Sequence, residues 1–480
     1  MNNSSLILIK NSRIITAADD FVADILIKNE KIVSIKKNIK VNDQVKIYDA
    51  TGLLAMPGGV DCHTHLENKF GDSTTCDTFD TGTRAAAFGG TTTIIDFAFQ
   101  NENRNVEQTT QHSVEQAIEH SIGLAENKAA IDYGFHLVIS KVDQQVLIDI
   151  KNAIKNLGVS SFKMFMAYPA IMVNDASIYQ CLKVTGDNGG LICLHAENGP
   201  VIDQIVKETI AKGLTEPKHH GFSRPALMEA EATHRVIKLS ELTNAPIYIV
   251  HVSCKESLLE VISARQKGLK VFAETCPHYL FFDDSVYKSN DFEVAKFVIS
   301  PPLRKKEDQD YLWKALVAND LQVISTDHCP YCINEGHLGK IKQKPLGKND
   351  FSKIPNGAPG IESRLPVIFE GGVNKGIISL NRFVELVSTA PAKIFGLFPQ
   401  KGTIAVGSDA DIILFDPKEK NILSASNHQS NVDYTLYEGM EINGKIKKVF
   451  LRGMLIVEND KWLGKYTYGK YLKRSETCQI

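Results

Sequence analysis

The chain has 480 residues, 43% of them hydrophobic and 23% charged, and a formal net charge of −2. That balance fits a soluble globular protein with a substantial core and argues against nucleic acid or an anionic membrane surface as a partner. The first apolar run, "LILI" (Leu6–Ile9), is too short for a signal sequence or a membrane span, no Arg-rich leader is visible, and the nine scattered cysteines read as reduced thiols of a cytoplasmic protein.

In chain order, residues 1–56 predict β structure: "LILIKNSRIIT", "ADILIKN" and "KIVSIKK" are short Ile- and Val-rich runs broken by Asn and Gly. Eight apolar runs follow: "AMPGGVD" (Ala55–Asp61), "TTTIIDF" (Thr91–Phe97), "YGFHLVI" (Tyr133–Ile139), "SSFKMFM" (Ser160–Met166), "GLICLHA" (Gly190–Ala196), "PIYIVHV" (Pro246–Val252), "KVFAETC" (Lys270–Cys276) and "QVISTDH" (Gln322–His328). Long helix-capable stretches such as Asn105–Lys128, Ala226–Leu242 and Lys255–Lys267 separate them. Apolar strands alternating with helices predict a parallel sheet covered by helices, and eight of them fit a (β/α)8 barrel over 57–399. "GKIKQKPLGKND" (Gly339–Asp350) reads as a solvated basic loop with a gating role. After residue 400 the β texture returns in "GTIAVGSDADIILFD", "IKKVFLRG" and "MLIVEND". "ADIILFD" looks like a counterpart of "ADILIKN", so residues 1–56 and 400–465 are expected to build one small β-sandwich, followed by a tail over 466–480.

Barrel enzymes carry their chemistry at the C-terminal ends of the strands. Here those ends supply His63 and His65 in "DCHTHL", Lys163 in the fourth run, His195 in "LHAEN", His251 in "IVHVS" and Asp327 in "STDHC". In an extended segment residues two apart point the same way, so His63 and His65 can grip one ion. Four imidazoles and a carboxylate facing one point suit zinc. His136 and His278 are not needed to complete the set and are read as structural. "CPYC" (Cys329–Cys332) has redox spacing, yet it follows the eighth run rather than opening the first helix of a small domain, and is read as two reduced loop cysteines.

Lys163 lies between Phe162 and Met164, where an ammonium is costly. A neutral amine there can take up CO2 to become an anionic carbamate able to bridge two metals; the alternative is a lysine that reaches the barrel mouth or pairs with an acid.

"GGVDCHTHL", "GTRAAAFGGTTTIIDFA", "FKMFMAY", "LHAEN", "VHVS", "ETCPHYL", "SPPLR", "STDHCP", "FSKIPNGAPGIE" and "DYTLYEGM" resemble, in order and over nearly the whole chain, the dihydropyrimidinase/hydantoinase family of the amidohydrolases. The resemblance implies a zinc-dependent α/β (β/α)8 barrel with a β-sandwich from both termini, acting on a small cyclic ureide. It implies two zinc ions per subunit bridged by carboxylated Lys163 and a hydroxide. His63, His65 and Asp327 fall where the family holds one ion, and His195 and His251 where it holds the other. Tyr168 matches the tyrosine that hydrogen-bonds the attacked carbonyl, Asp327 also the proton carrier, and Ser300 and Asn356 the positions that recognise the ring imide. A cytoplasmic homotetramer is implied too, with the tail helping its contacts.

Within the family, Glu67 stands where dihydroorotases place a carboxylate-gripping arginine, which disfavours dihydroorotase and, less directly, allantoinase. The complete set of ligand positions disfavours the non-catalytic collapsin-response mediator proteins. Leu66, Phe70, Phe165, Ile171 and Met172 are the candidate gates for the ring substituent. The resulting expectation is a dihydropyrimidinase with hydantoinase activity beside it, discrimination between the two rings resting on pocket shape.

Overall fold

The computed structural model describes residues 6–70, 72–100, 113–334, 336–339, 343–465 and 467–477. All eight apolar runs contribute a strand to one parallel sheet: β1 (Gly59–Asp61), β2 (Thr91–Phe99), β3 (Asp132–Val138), β4 (Ser161–Phe165), β5 (Leu191–His195), β6 (Ile247–Ile249), β7 (Val271–Thr275) and β8 (Val323–Ile324). Spatial order follows sequence order, as right-handed crossovers around a barrel require. Nearly every residue in these strands is buried, which is why the runs are apolar throughout rather than alternating. Of the expected helices, Ala226–Thr243 and Lys255–Gln266 form almost as bounded. The first is Val114–Ala125, capped by Ser113; residues 105–112 of that stretch lie outside the described ones.

No ladder joins β1 to β8. Their seam is a single bridge between Thr64 and His328, with the His65 N–H donating to the His328 carbonyl at 2.8 Å. The Asp61 carboxylate accepts the Thr326 N–H at 3.1 Å and its hydroxyl at 2.6 Å. Below it the buried Arg364 donates to the carbonyls of Val60 (2.9 Å) and Ile324 (3.1 Å) and to the Thr91 hydroxyl (3.0 Å). Side chains thus satisfy the backbone groups that a closing ladder would otherwise pair.

The expected first barrel strand divides in two. Leu54–Pro57 pairs with Ile412–Phe415 in a second sheet, and the chain crosses to the barrel at Gly58. Only glycine fits there, since a Cβ would lie 2.1 Å from the Thr92 hydroxyl oxygen. The second sheet has nine strands from both ends of the chain, in the order Lys461–Trp462, Met454–Glu458, Glu441–Leu451, Ile412–Ile422, Leu54–Pro57, Leu6–Ile15, Asp20–Lys28, Lys31–Lys36, with Lys46–Asp49 also on Leu6–Ile15. Ile14, Ile25, Ile412, Leu414 and Phe450 share one apolar cluster across it. The two look-alike segments play one part: Asp24 accepts the N–H of Asn11 (φ 57°) and Asp411 that of Arg452 (φ 43°), each holding a left-handed residue in place.

The barrel floor is an apolar cluster of Val60, Cys193, Tyr248, Phe395 and Leu472. The tail runs beneath it: Tyr133 N–H donates to the Lys470 carbonyl, Leu472 N–H to Tyr133 and Arg474 N–H to Gly158, at 2.8–3.0 Å. Its described part therefore packs on its own barrel; residues 466 and 478–480 lie outside the described ones. His136, inside the barrel, hydrogen-bonds the Ser161 hydroxyl at 2.6 Å and the Cys62 carbonyl at 2.9 Å.

Between barrel and second sheet, the buried Lys401 ammonium touches Asp132 (2.5 Å), Asp409 (3.0 Å) and Asp411 (2.7 Å), and Arg452 also pairs with Asp132. Lys401→Met leaves these carboxylates without most of their compensation. The expected loss is about 3–5 kcal/mol, measured as a lower urea midpoint, with Lys238→Met at the exposed Glu241 pair changing stability by less than about 1 kcal/mol.

Candidate metal centre

His63 and His65 leave the end of β1 separated by Thr64, whose side chain points the other way and donates to Asp96 at 2.7 Å. Asp96 also accepts the Leu66 N–H (2.9 Å) and the Asn68 amide (3.1 Å), so one buried carboxylate on β2 shapes the turn that presents both imidazoles. Past β8 the same alternation holds. Thr326 bonds Asp61, His328 bonds Asp77 at 3.0 Å, and Asp327 between them faces inward.

The Asp327 Oδ1 lies 3.1 Å from the Nε2 of both His63 and His65. Across the mouth, His195 Nδ1 and His251 Nε2 stand 2.9 Å apart, and the His63 and His251 ring centres are 5.5 Å apart. The outward nitrogens of two rings are held from behind. Glu274 grips His63 Nδ1 at 2.5 Å and also accepts the Tyr248 hydroxyl (2.8 Å) and the His251 N–H (3.2 Å). Glu197 grips His195 Nε2 at 2.7 Å and pairs with Arg224 at 2.8 Å. Carboxylates behind imidazoles leave the opposite nitrogen as a ligand and fix its direction.

Lys163 is 1% exposed. Its ammonium lies 5.1 Å from the ring centres of Phe97 and Phe165, makes no ion pair among the described residues, and repels the charged forms of all four imidazoles. Burial pulls it down to about 8, against the pull of Asp327 and Glu274. Burial also depresses His63, yet Asp327 and Glu274 outweigh it and lift that ring to about 9; burial prevails at His65 and takes it to about 4. Despite its own burial, Asp327 stays well below the ordinary carboxyl range because His63 and His65 stabilise its charge. These groups suit dications. Nitrogens and a carboxylate converge on one space, and the lysine among them can become an anion by taking up CO2.

One cavity of about 510 Å³ is lined by His63, His65, Lys163, His195, His251 and Asp327, and also by Tyr168, Ser300 and Asn356. The Asn356 amide donates to the Ser300 hydroxyl at 2.9 Å. Burial raises the Tyr168 hydroxyl, with Arg224 opposing it. Tyr168 (φ 69°), His251 (φ 41°) and Asp327 (φ 48°) all have left-handed backbones, a cost the surrounding structure sustains at three cavity-facing residues.

Several sequence expectations need amendment. Phe70, Phe165 and Ile171 line the cavity. Leu66 and Met172 do not, because Leu66 packs over Gly82 and Met172 against Gly199. Gly71, next to the candidate gate Phe70, and residues 340–342 of the expected gating loop Gly339–Asp350 lie outside the described ones. Lys344, read as solvated, is buried and donates to the carbonyls of Val298 and Pro355 at 3.3 Å, while Leu346 reaches the cavity. Cys329 and Cys332 are buried and form no disulfide, the first lining the cavity and the second directed at the Asn431 carbonyl. His278 stands apart from the cavity lining, its ring packed on Tyr279 with centres 4.2 Å apart. Sequence reasoning misses Glu274 and Glu197, although each shows a readable signal: Glu274 ends an apolar strand run and Glu197 sits two residues past a strand-end histidine.

The description "Amidohydrolase family" matches residues 54–456. The D-hydantoinase of Streptomyces coelicolor is 44% identical over 99% of both chains, and that of Geobacillus stearothermophilus 45% identical over 98% of this chain and 96% of its own. The solved dihydropyrimidinase of Brevibacillus agri superposes with a TM-score of 0.94 at 44% identity, covering 99% of this chain and 100% of its own. Glu274→Gln should weaken divalent-metal binding at this cluster about 10–100-fold; chelator competition on the purified, folded variant measures it.

Proposed function

The chain belongs to the amidohydrolase family, in its hydantoinase branch, and is a hydrolase acting on cyclic amides; on that premise we propose that it is a dihydropyrimidinase, opening 5,6-dihydrouracil and dihydrothymine, and hydantoins beside them, to N-carbamoyl amino acids. The observation that carries this reading is one cavity in which a buried lysine, without an ion pair among the described residues, stands among four imidazoles and a carboxylate, with Tyr168, Ser300 and Asn356 lining the same space.

Two zinc ions, one held by His63, His65 and Asp327, the other by His195 and His251, with carboxylated Lys163 bridging them, would supply Lewis acidity and a hydroxide nucleophile near neutral pH. The chain's own groups do the rest. Ser300 and Asn356 hold the ring imide and turn one carbonyl toward the ligand cluster. The Tyr168 hydroxyl donates to that carbonyl oxygen as negative charge develops on it. Asp327, at the junction of the two ligand strands, takes the proton of the nucleophile and delivers it to the ring nitrogen as the C–N bond breaks. Phe165 and Ile171 wall the cavity and limit the water around the reacting carbonyl.

A second reading, a D-hydantoinase for 5-substituted rings, is favoured by the apolar wall of Phe70, Ile171, Leu346 and Ile354, which has room for a substituent. Assembly as a cytoplasmic homotetramer belongs to the same proposal. The large apolar side chains exposed at Phe222, Leu227 and Leu242 support the assembly, and sedimentation velocity reads it directly. Among the described residues no helix is long and apolar enough to cross a membrane.

Lys163→Ala should lose both zinc and turnover, and short carboxylic acids should restore part of each; full metal and full activity in that variant would refute the bridge. Only the neutral amine, with its free lone pair, attacks CO2 to form the carbamate, releasing a proton. With Lys163 near 8, the neutral share falls about fifty-fold from pH 8 to pH 6, so reconstitution with zinc at fixed dissolved CO2 should slow steeply on the acid side. A panel of dihydrouracil, dihydrothymine, D- and L-5-substituted hydantoins and allantoin, followed by ring opening, separates the two readings. Dihydrouracil and D-hydantoins should be opened and allantoin left intact. Zinc-loaded protein that opens none of the ureides would overturn the proposal.

A further inference from the structure

Arg224 lies between the short helix His219–Ser223 and the helix Ala226–Thr243, and is only 8% exposed. Its guanidinium meets two groups at once. One Nη donates to Glu197 at 2.8 Å, the carboxylate that also grips His195. The guanidinium carbon stands 5.4 Å from the centre of the Tyr168 ring. The residue is fixed from its other end as well, since Arg304 donates to the Arg224 carbonyl at 2.5 Å and is itself held by Glu229 (2.9 Å) and Ser253 (3.0 Å). Arg224 is absent from the residues that line the cavity, so it has no direct reach to a substrate.

Tyr168 needs such support. Its φ of 69° places it in a left-handed turn just past β4, where its carbonyl accepts the N–H groups of Ile171 (2.9 Å) and Met172 (2.8 Å). Those bonds fix the backbone and leave the ring to its neighbours. The neighbours include the rings of His195 and Phe165, 5.2 and 6.1 Å away centre to centre, and the Arg224 guanidinium, the one charged group of these three. A desolvated guanidinium on an aromatic ring both orients it and favours negative charge beside it. It therefore strengthens the hydroxyl as a donor to an oxyanion.

We propose that Arg224 is a positioning residue that sets Tyr168 against the reacting carbonyl, tying the oxyanion donor through Glu197 to the imidazole of His195. The inference rests on the reading of Tyr168 as that donor. Lysine at this position still reaches Glu197 as a point charge but cannot lie flat on the ring.

The test is a double-mutant cycle on zinc-loaded protein, with kcat and KM for dihydrouracil and zinc content measured for Tyr168→Phe, Arg224→Lys, Arg224→Gln and the two double variants. Tyr168→Phe alone should lower kcat about 100-fold or more. Arg224→Lys should lower kcat about 10- to 30-fold with KM and zinc unchanged, and Arg224→Gln at least as much. When Tyr168→Phe is already present, either Arg224 substitution should change kcat less than about threefold, because the group through which it acts is gone. If Tyr168→Phe keeps its kcat, the reading beneath the proposal fails and the proposal with it. If Tyr168→Phe is slow but Arg224 substitutions cost the same factor in both backgrounds, the proposal alone fails. Loss of zinc from Arg224→Lys would likewise overturn it, by showing that Arg224 acts through His195. Should one Arg224 variant fail to fold, the other carries the cycle.

Discussion

The ligand cluster depends on one seam. His63 and His65 come from the end of β1 and Asp327 from the end of β8, so the three meet only because the first and last strands are drawn together. Backbone pairing supplies little of that closure. It rests on the Asp61 carboxylate across Thr326, on the guanidinium of Arg364 across both strands, and on one bridge at Thr64 and His328. These polar groups are buried and, apart from the Arg364 Nε, hydrogen-bonded, which makes their geometry specific rather than merely adhesive. A shift of the seam by one residue would turn Thr64 and Thr326 inward and the ligands away.

The same economy governs charge. Buried cations here sit against buried carboxylates: Lys401 among three aspartates, Arg304 on Glu229, Arg224 on Glu197. Lys163, Lys344 and Arg474 depart from the pattern; burial draws the two amines down toward neutrality, and Arg474 rests on a hydroxyl and a carbonyl. Lys344 finds two carbonyls and ties the backbone behind Ser300 to the backbone beside Asn356. Lys163 is surrounded by imidazoles, whose charged forms and its own ammonium repel one another.

Much of this architecture is legible in the sequence alone, and the reasons are local. Uninterrupted apolar runs report strands buried on both faces, and polar residues at their ends stand out because an apolar strand has no other use for them. That logic finds His195, His251 and Asp327 as readily as His63 and His65. It fails where a role depends on distance in space. Glu274 and Arg224 acquire meaning only from rings that lie far away in the chain, and Asp61 and Arg364 only from a closure 265 and 304 residues distant. Left-handed backbones at Tyr168, His251 and Asp327 leave no composition signal, since none of them is glycine or asparagine. The split of Ala55–Asp61 at Gly58 is hidden because both halves are apolar and extended, and only the position of Thr92 tells the two sheets apart.

The segment beneath the barrel floor has a bearing on how the molecule is made. Arg474 donates to Ser161 and to the Phe135 carbonyl, partners 313 and 339 positions earlier, and Leu472 completes the apolar layer around Tyr248. A nascent chain emerging from the ribosome has all eight strands in hand well before it has the residues that plug the base. The underside of the barrel therefore stays open to solvent until the segment around Leu472 and Arg474 has been made, long after the eighth strand.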